Sequence, residues 1–154
     1  VPEERLPAVG ERVKEVHDRS HLWTHVPEGI SEALQRLGEA GYRLAVISNA
    51  DGRVEGLLER AGLRGHFEFV LDSHVVGVEK PDPEIFRLGV ERLGLEPREC
   101  LYVGDLYPVD VVGARRAGLR ALLLDPFDRM DVPVDRIPAV TGLPGYLNRA
   151  ASRG

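Results

Sequence analysis

Three short stretches of the sequence carry polar side chains of the kinds that bind a phosphate group or a hard cation. The first offers a hydroxyl and a carboxamide, the second an ammonium group, and the third two carboxylates. Each stretch follows an apolar run or opens a predicted helix, so the main chain would hold its side chains in place. The candidate residues are Ser48, Asn49, Lys80, Asp105 and Asp110.

The first stretch, Ser48 to Gly52, joins the apolar run Leu44 to Ile47 to a predicted helix. A hydroxyl next to free backbone N–H groups at a helix N-terminus is suited to bind a phosphate oxygen. The alternative is that Ser48 and Asp51 only cap the helix. This stretch alone leaves both interpretations open.

The second stretch places Lys80 just before a helix whose start is restricted by Pro81 and Pro83. A lysine fixed in this way can pair with an anionic substrate or with a carboxylate. The alternative is that Lys80 is a solvated surface charge. Asp82 is predicted to cap the helix, and Pro83 to occupy its first turn.

The third stretch places Asp105 directly after a predicted strand and Asp110 five residues later, near the start of a helix. Two carboxylates that converge at a strand end suit Mg²⁺, which prefers oxygen ligands and keeps several waters. Gly104 leaves room for the tight turn that this convergence requires. The alternative is that Asp105 caps the turn and that Asp110 is only favoured by the first turn of the helix.

Strand and helix patterns alternate along the chain around these stretches. Strands separated by helices are typical of parallel βαβ units, so we predict an α/β fold with a doubly wound parallel sheet. Ligands of such sheets bind at the carboxyl ends of the strands, where the candidate residues lie. The predicted helices span Glu11 to Leu22, Glu28 to Ala40, Asp51 to Ala61, Pro83 to Leu93, Pro108 to Ala117 and Leu143 to Ala150. The predicted strands span Arg43 to Ser48, Phe67 to Leu71, Cys100 to Val103, Arg120 to Leu124 and Ile137 to Val140.

Composition limits the class of protein and its partners. The chain has 154 residues, a formal net charge of -5 and one cysteine, Cys100. The acidic charge argues against nucleic acid or an anionic membrane as the main partner, and the apolar runs are too short to span a bilayer. A lone cysteine allows no intramolecular disulfide, which fits a reducing cytoplasm. The sequence does not indicate an oligomeric state.

Three histidines, His17, His21 and His25, lie close together near the start of the sequence, with Trp23 among them. Histidines on one helix face can bind a metal ion. A surface or packing role is the favoured interpretation, because the spacing is a weak metal signal.

Taken together, the three stretches resemble the second, third and fourth motifs of the haloacid dehalogenase-like (HAD) hydrolases, in the same order and at similar spacing. Arg43 to Gly52 (RLAVISNADG) is similar to the second motif, Val78 to Phe86 (VEKPDPEIF) to the third, and Leu101 to Asp110 to the fourth. The strand from Gly118 to Pro126 also resembles the family's next strand. The matching region runs from about Val26 to Leu147.

The resemblance implies a Rossmann-like core that hydrolyses a small phosphorylated metabolite with Mg²⁺ as cofactor. In the family's reaction, an aspartate attacks phosphorus and forms an aspartyl-phosphate. Carried over to the matching positions, Ser48, Asn49 and Lys80 would bind substrate, Ser48 and Lys80 would assist catalysis, and Asp105 and Asp110 would bind Mg²⁺. Haloacid dehalogenation, which needs no metal, is the less favoured alternative.

The sequence departs from the family at the motif that carries the nucleophile. Family hydrolases place Asp-x-Asp at the end of a first strand, centrally between the strands that here carry Ser48 and Asp105, and this chain contains no Asp-x-Asp. We therefore expect an inactive fragment without the central N-terminal strand. Residues 1–25 would be a residual cap-domain helix and linker, and residues 26–150 the core domain. The alternatives are a segment supplied from elsewhere and a non-catalytic module that binds phosphate or Mg²⁺.

Overall fold

The computed structural model of the chain describes residues 6–19 and 25–152. Helices and strands alternate over most of this part, and none of its helices is long and apolar enough to cross a membrane. The helices are α1 (Leu6–Arg19), α2 (Ile30–Glu39), α3 (Val54–Arg60), α4 (Ser73–Val76), α5 (Pro83–Leu93), α6 (Val112–Arg116) and α7 (Leu143–Ala151). The strands are β1 (Val46–Ser48), β2 (Val70–Asp72), β3 (Leu101–Gly104), β4 (Arg120–Leu124) and β5 (Arg136–Ile137). A π-helical turn, Tyr107–Val111, precedes α6, and 3-10 turns lie at Arg64–His66, Pro97–Glu99 and Val140–Gly142.

The strands run parallel and form two hydrogen-bonded groups. β1 pairs with β2, which sets Ser48 opposite Asp72. β4 lies between β3 and β5, and both of its pairings are parallel. Helices connect these strands and cover them, so the predicted α/β architecture with parallel strands is confirmed.

Apolar side chains on the two faces of the strands form two cores. On one face, Phe86 of α5 packs with Ala114 of α6. On the other face, Leu37 of α2 packs with Leu122 of β4. The residue before Leu122, Ala121, contacts the first core, because successive side chains of a strand point to opposite faces. Helices therefore pack on both faces of β4, as they do in a doubly wound α/β sheet.

β1 and β3 face each other across an open slot. They belong to different hydrogen-bonded groups, and a cavity of about 520 Å³ lies between them. The slot lies at the position where the resemblance to HAD hydrolases places the central strand. Its lining includes Leu44, Ala45, Ile47, Phe86, Leu101, Tyr102, Val103 and Leu143.

The hydrogen bonds of β1 with β2 and of β3 with β4 show which backbone groups of β1 and β3 point toward the slot. The Val46 N–H donates toward β2, and residues of a strand alternate in the side to which their backbone groups point, so the Ile47 N–H points to the slot. The Cys100 carbonyl accepts a hydrogen bond from β4. By the same alternation, the N–H and carbonyl of Val103, three residues later, point away from β4 and toward the slot. Both edges therefore offer backbone groups to a strand placed between them.

Two elements begin and end where the sequence predicts, α5 and β4. The predicted cap of α5 is confirmed, since the Asp82 carboxylate accepts a hydrogen bond from the Glu84 N–H at 2.9 Å. Pro83 occupies the first turn. A proline at this position and a capping carboxylate are both local signals, and they do not depend on distant contacts.

Other boundaries differ from the prediction. The helix predicted over Pro108 to Ala117 is a π-helical turn followed by the short α6, and such turns are frequent beside functional residues. The strand predicted from Arg43 begins only at Val46, where the ladder with β2 begins. The first helix starts at Leu6, earlier than predicted, and its predicted end at Leu22 lies outside the described residues.

Three further differences concern short elements. Helix α4 follows β2 without a break and is not predicted by the sequence pattern. Strand β2 is shifted toward Asp72 relative to the predicted strand, and β5 ends at Ile137 before the predicted Val140. Elements of a few residues depend on tertiary pairing more than on local propensity, because they contain too little pattern to recognise.

Amide hydrogen exchange tests the slot. The Ile47 and Val103 N–H groups, which point to the slot, should exchange at least about tenfold faster than those of Leu122 and Leu123 in β4. The Val46 N–H, in the same strand as Ile47 but bonded toward β2, is the internal control and should be protected. Equal protection of Ile47 and Val46 in NMR-detected exchange would mean that the slot is closed in solution.

Candidate functional site

The loops that follow β1, β2 and β3 meet at the carboxyl edge of the strands and bring the predicted stretches together. The Asn49 side chain is hydrogen-bonded to the main chain of Lys80. The Lys80 ammonium contacts the carboxylate of Asp110. These contacts place the carboxamide, the ammonium and a carboxylate in one continuous cluster.

The carboxylate of Asp110 is the buried centre of this cluster, with its side chain 3% exposed. Its Oδ1 accepts a hydrogen bond from Lys80 Nζ at 2.7 Å. Its Oδ2 accepts from the backbone N–H groups of Asp105 at 3.1 Å and Leu106 at 2.9 Å. A buried carboxylate needs such partners, since an unpaired one is strongly disfavoured. Asp110 therefore holds both the Lys80 ammonium and the turn after β3.

Tyr102 of β3 connects the ammonium to the opposite edge of the slot. Its hydroxyl accepts a hydrogen bond from Lys80 Nζ at 2.9 Å and donates to the Ile47 carbonyl at 3.2 Å. The Tyr102 ring meets Phe86 edge-on, with ring centroids 4.9 Å apart. Burial, together with the nearby Asp110 charge, raises the pKa of Tyr102 above its usual value. The hydroxyl therefore stays protonated and keeps its role as a donor.

Asn49 uses both ends of its carboxamide on one residue. Its Nδ2 donates to the Lys80 carbonyl at 2.8 Å, and its Oδ1 accepts from the Lys80 N–H at 2.8 Å. The side chain thus ties the loop after β1 to the segment that precedes α5.

The loop after β1 is also held by the last residue of β2, Asp72. Asp72 is 5% exposed, and its carboxylate accepts from the Gly52 N–H at 2.9 Å and from the His74 N–H at 3.0 Å. The Ala50 N–H donates to the Ser73 hydroxyl at 3.1 Å. The Ala50 and Gly52 N–H groups are consequently not free, contrary to the expectation of open donors beside Ser48.

The alternative that Ser48 and Asp51 cap the helix is also wrong. The residue before α3 is Arg53, whose own side chain makes no capping hydrogen bond. The first N–H of the helix, that of Val54, instead donates to the Asp72 carboxylate at 3.5 Å. Asp51 instead pairs with the Arg53 guanidinium at 2.5 Å. Asp72 takes the place expected of a local cap because the β1–β2 register sets it opposite Ser48.

Ser48 and Asp105 are the two predicted site residues whose side chains are open to a ligand. Ser48 ends β1 half-buried, and Asp105 lies exposed just after β3. Within the part of the chain that the structure describes, neither side chain makes a hydrogen bond or an ion pair. The structure brings both to the edge that carries Lys80, as the parallel arrangement of β1 and β3 requires.

A Mg²⁺ ion at this edge fits Asp105 better than Asp110. The Asp105 carboxylate is exposed, whereas both oxygens of Asp110 already have partners. No three His, Cys, Asp or Glu side chains among residues 6–19 and 25–152 are grouped to hold a metal. Since Mg²⁺ takes about six oxygen ligands and keeps several waters, the described residues offer part of a site.

The histidine group near the start contributes nothing to this cluster that can be described. His25 is exposed. His21 and Trp23 lie outside the described residues, as does the side chain of His17, so the interpretation of these residues stays a prediction.

Tyr102 and Asp72 are the site residues that sequence reasoning missed. The sequence does contain a sign of each. Tyr102 places a hydroxyl within an apolar strand, and Asp72 places a carboxylate at the end of one. A buried polar group of this kind needs a partner. The sequence alone does not say which partner, because the contacts depend on the folded arrangement of the loops.

Gly104→Ala tests the close approach of β3 to Asp110. A Cβ at Gly104 would lie 2.5 Å from the Asp110 carboxylate, so that carboxylate would be pushed away from Lys80. We expect the free energy of unfolding, measured by urea denaturation, to fall by about 1–3 kcal/mol. Gly38→Ala in α2 is the control, because a Cβ there meets nothing within 4 Å, and it should stabilise by about 0.5–1 kcal/mol. A neutral Gly104→Ala would contradict the packing described.

Comparisons with known proteins identify the family to which the chain belongs. The profile described as haloacid dehalogenase-like hydrolase matches residues 2–118. The haloacid dehalogenase-like hydrolase domain-containing protein 3 of Homo sapiens is 42% identical over 127 residues, which are 78% of this chain and 51% of that protein. Glyceraldehyde 3-phosphate phosphatase of Methanopyrus kandleri is 37% identical over 119 residues, which are 77% of this chain and 50% of that protein. The chain thus spans about half the length of these curated relatives.

A solved structure agrees with the sequence matches. A HAD phosphatase from Thermococcus onnurineus superposes with a TM-score of 0.77 at 28% identity, covering 88% of this chain and 64% of that one. The matched region contains Ser48, Lys80 and Asp105. The chain therefore belongs to the haloacid dehalogenase-like hydrolase family.

Proposed function

We propose that the complete protein is a Mg²⁺-dependent phosphatase that acts on a small phosphorylated metabolite. The observation that carries this proposal is the Lys80 ammonium, held 2.7 Å from the buried Asp110 carboxylate at the edge where Ser48 and Asp105 are open. A positioned cation beside a hydroxyl and an exposed carboxylate suits a phosphoryl group bound together with Mg²⁺. The phosphatases among the relatives support the same class of reaction.

Each side chain has a separate role in this proposal. The Ser48 hydroxyl donates a hydrogen bond to a phosphoryl oxygen and orients the group. The Lys80 ammonium offsets negative charge on the same group, and Asp110 keeps that ammonium in place. When Mg²⁺ is bound, with Asp105 as one ligand, it supplies further stabilisation of charge on the phosphoryl oxygens. Direct binding of Mg²⁺ by Asp110 stays a prediction, and the contacts of Asp110 favour a supporting role.

The nucleophile of this reaction is proposed to come from another segment of the protein. The sequence has no Asp-x-Asp, and the slot between β1 and β3 is lined largely by apolar side chains. A strand seated in the slot would bring its carboxyl end beside Lys80, and an aspartate there would form the aspartyl-phosphate. In this arrangement, residues 26–150 are the core and residues 1–25 are the end of a cap region with its linker.

Asp105→Asn tests the proposed metal ligand in a polypeptide extended by the sequence that precedes Val1 in its gene. We expect Mg²⁺-dependent hydrolysis of p-nitrophenyl phosphate, and a loss in kcat/KM of at least about 100-fold on substitution, because a bound metal contributes several kcal/mol. Asp131→Asn, at an exposed carboxylate on the loop after β4, is the matched control. Undiminished activity of Asp105→Asn would remove the metal role. Mg²⁺ binding without any turnover would favour a non-catalytic binding module.

The 154-residue chain by itself is expected to show no phosphatase turnover, because the proposed nucleophile lies elsewhere. The same assay on the purified chain checks this expectation. A Mg²⁺-dependent rate that follows the chain through purification would contradict the assignment of the nucleophile to another segment.

A further inference from the structure

We propose that Asn49 is a positioning residue whose carboxamide clamps the main chain of Lys80 and thereby sets where the Lys80 ammonium meets the substrate. The clamp itself is a matter of geometry. Its role in catalysis rests on the proposed function, which it deepens by assigning a residue that the phosphoryl group does not touch.

The clamp is a closed pair of hydrogen bonds. Asn49 donates to the Lys80 carbonyl and accepts from the Lys80 N–H, each at 2.8 Å. A carboxamide presents a donor and an acceptor side by side, whereas a carboxylate or a hydroxyl of similar size does not offer this pair in the same geometry. The arrangement matches the two-bond exchange between opposed residues of antiparallel strands. The Asn49 carboxamide thus bonds to Lys80 in the way that the backbone of a paired strand residue would.

Lys80 is consequently held at both ends. Its main chain is fixed by Asn49, and its ammonium is fixed by Asp110 at 2.7 Å and Tyr102 at 2.9 Å. Lys80 also lies within a turn that is closed by the Asp82 N–H, which donates to the Glu79 carbonyl at 3.0 Å. A lysine side chain has several rotatable bonds, so its ammonium reaches two fixed partners reproducibly only if the main chain is fixed as well.

The clamp couples the two loops that would contact one phosphoryl group. Asn49 directly follows Ser48, and its bonds to Lys80 span 31 residues of sequence. The main chains that carry Ser48 and Lys80 are therefore joined by a single side chain. A misplacement of about 1 Å in such a site costs about 100-fold in rate. Direct contact of Asn49 with substrate, as the family resemblance implied, would compete with bonds that both of its polar atoms already make.

Amide exchange of Lys80 tests the clamp in the 154-residue chain. The Lys80 N–H should be protected in the wild type, and Asn49→Ala should speed its exchange by at least about tenfold, since the acceptor is lost. Asn49→Asp keeps an acceptor oxygen for that N–H and should retain protection. Asn148→Ala removes the chain's other asparagine, an exposed residue of α7, and should change nothing at Lys80. Unchanged exchange in Asn49→Ala would overturn the clamp.

Steady-state kinetics with p-nitrophenyl phosphate and Mg²⁺ test the positioning role in the extended polypeptide. Asn49→Ala should lower kcat by about 10-fold to 100-fold and leave KM within about threefold, because the displaced ammonium loses most of its effect in the transition state while the Ser48 contact with substrate remains. A raised KM with unchanged kcat would overturn the positioning role in favour of direct substrate contact. Asn148→Ala should match the wild type.

The two experiments separate failure of this inference from failure of the proposed function. If the extended polypeptide hydrolyses no phosphate ester, the proposed function fails, and the exchange of Lys80 still decides whether the clamp exists. If the polypeptide is active and Asn49→Ala has wild-type kcat and KM, the proposed function stands and the positioning role is refuted.

Discussion

The buried ion pair between Lys80 and Asp110 is the interaction on which the rest of the site depends. Taking two charges out of water costs several kcal/mol per ion, and their attraction offsets this only when the remaining polar atoms are also matched. Here the Tyr102 hydroxyl and the backbone N–H groups of Asp105 and Leu106 supply the match. The Asp110 carboxylate thus holds both the turn after β3 and the segment before α5, so a shift of either one would break its hydrogen bonds.

Local signals allowed much of the fold to be predicted from the sequence. Asp82 and Pro83 mark the start of α5, and the continuous apolar run from Ala121 to Leu124 marks most of β4. The Lys80 and Asp105 positions could be found for a related reason, because each stands next to a proline or a glycine that restricts the chain. The absence of Asp-x-Asp pointed to a missing central strand, and a slot lies at that position between β1 and β3.

The partners of these side chains could not be predicted, because they join residues that are distant in sequence. Asp110 and Lys80 are 30 residues apart, and Asn49 and Lys80 are 31 apart. Asp72 reaches the loop after β1 only because β1 and β2 pair in one particular register. The N–H groups that looked free beside Ser48 are bonded by Asp72 and Ser73 for this reason. Residue type indicates what a side chain can bind, whereas topology decides what it does bind.

The slot has a consequence for the fate of the polypeptide in the cell. Two adjacent strand edges with apolar surroundings are templates for any extended segment, including one from another copy. While the slot is open, strand exchange and edge-to-edge aggregation are favoured, and a segment of about six or seven residues is the size that forms such contacts. If a strand of the complete protein fills the slot, as proposed, early closure of the sheet would limit such contacts, and the open form would be the one exposed to aggregation.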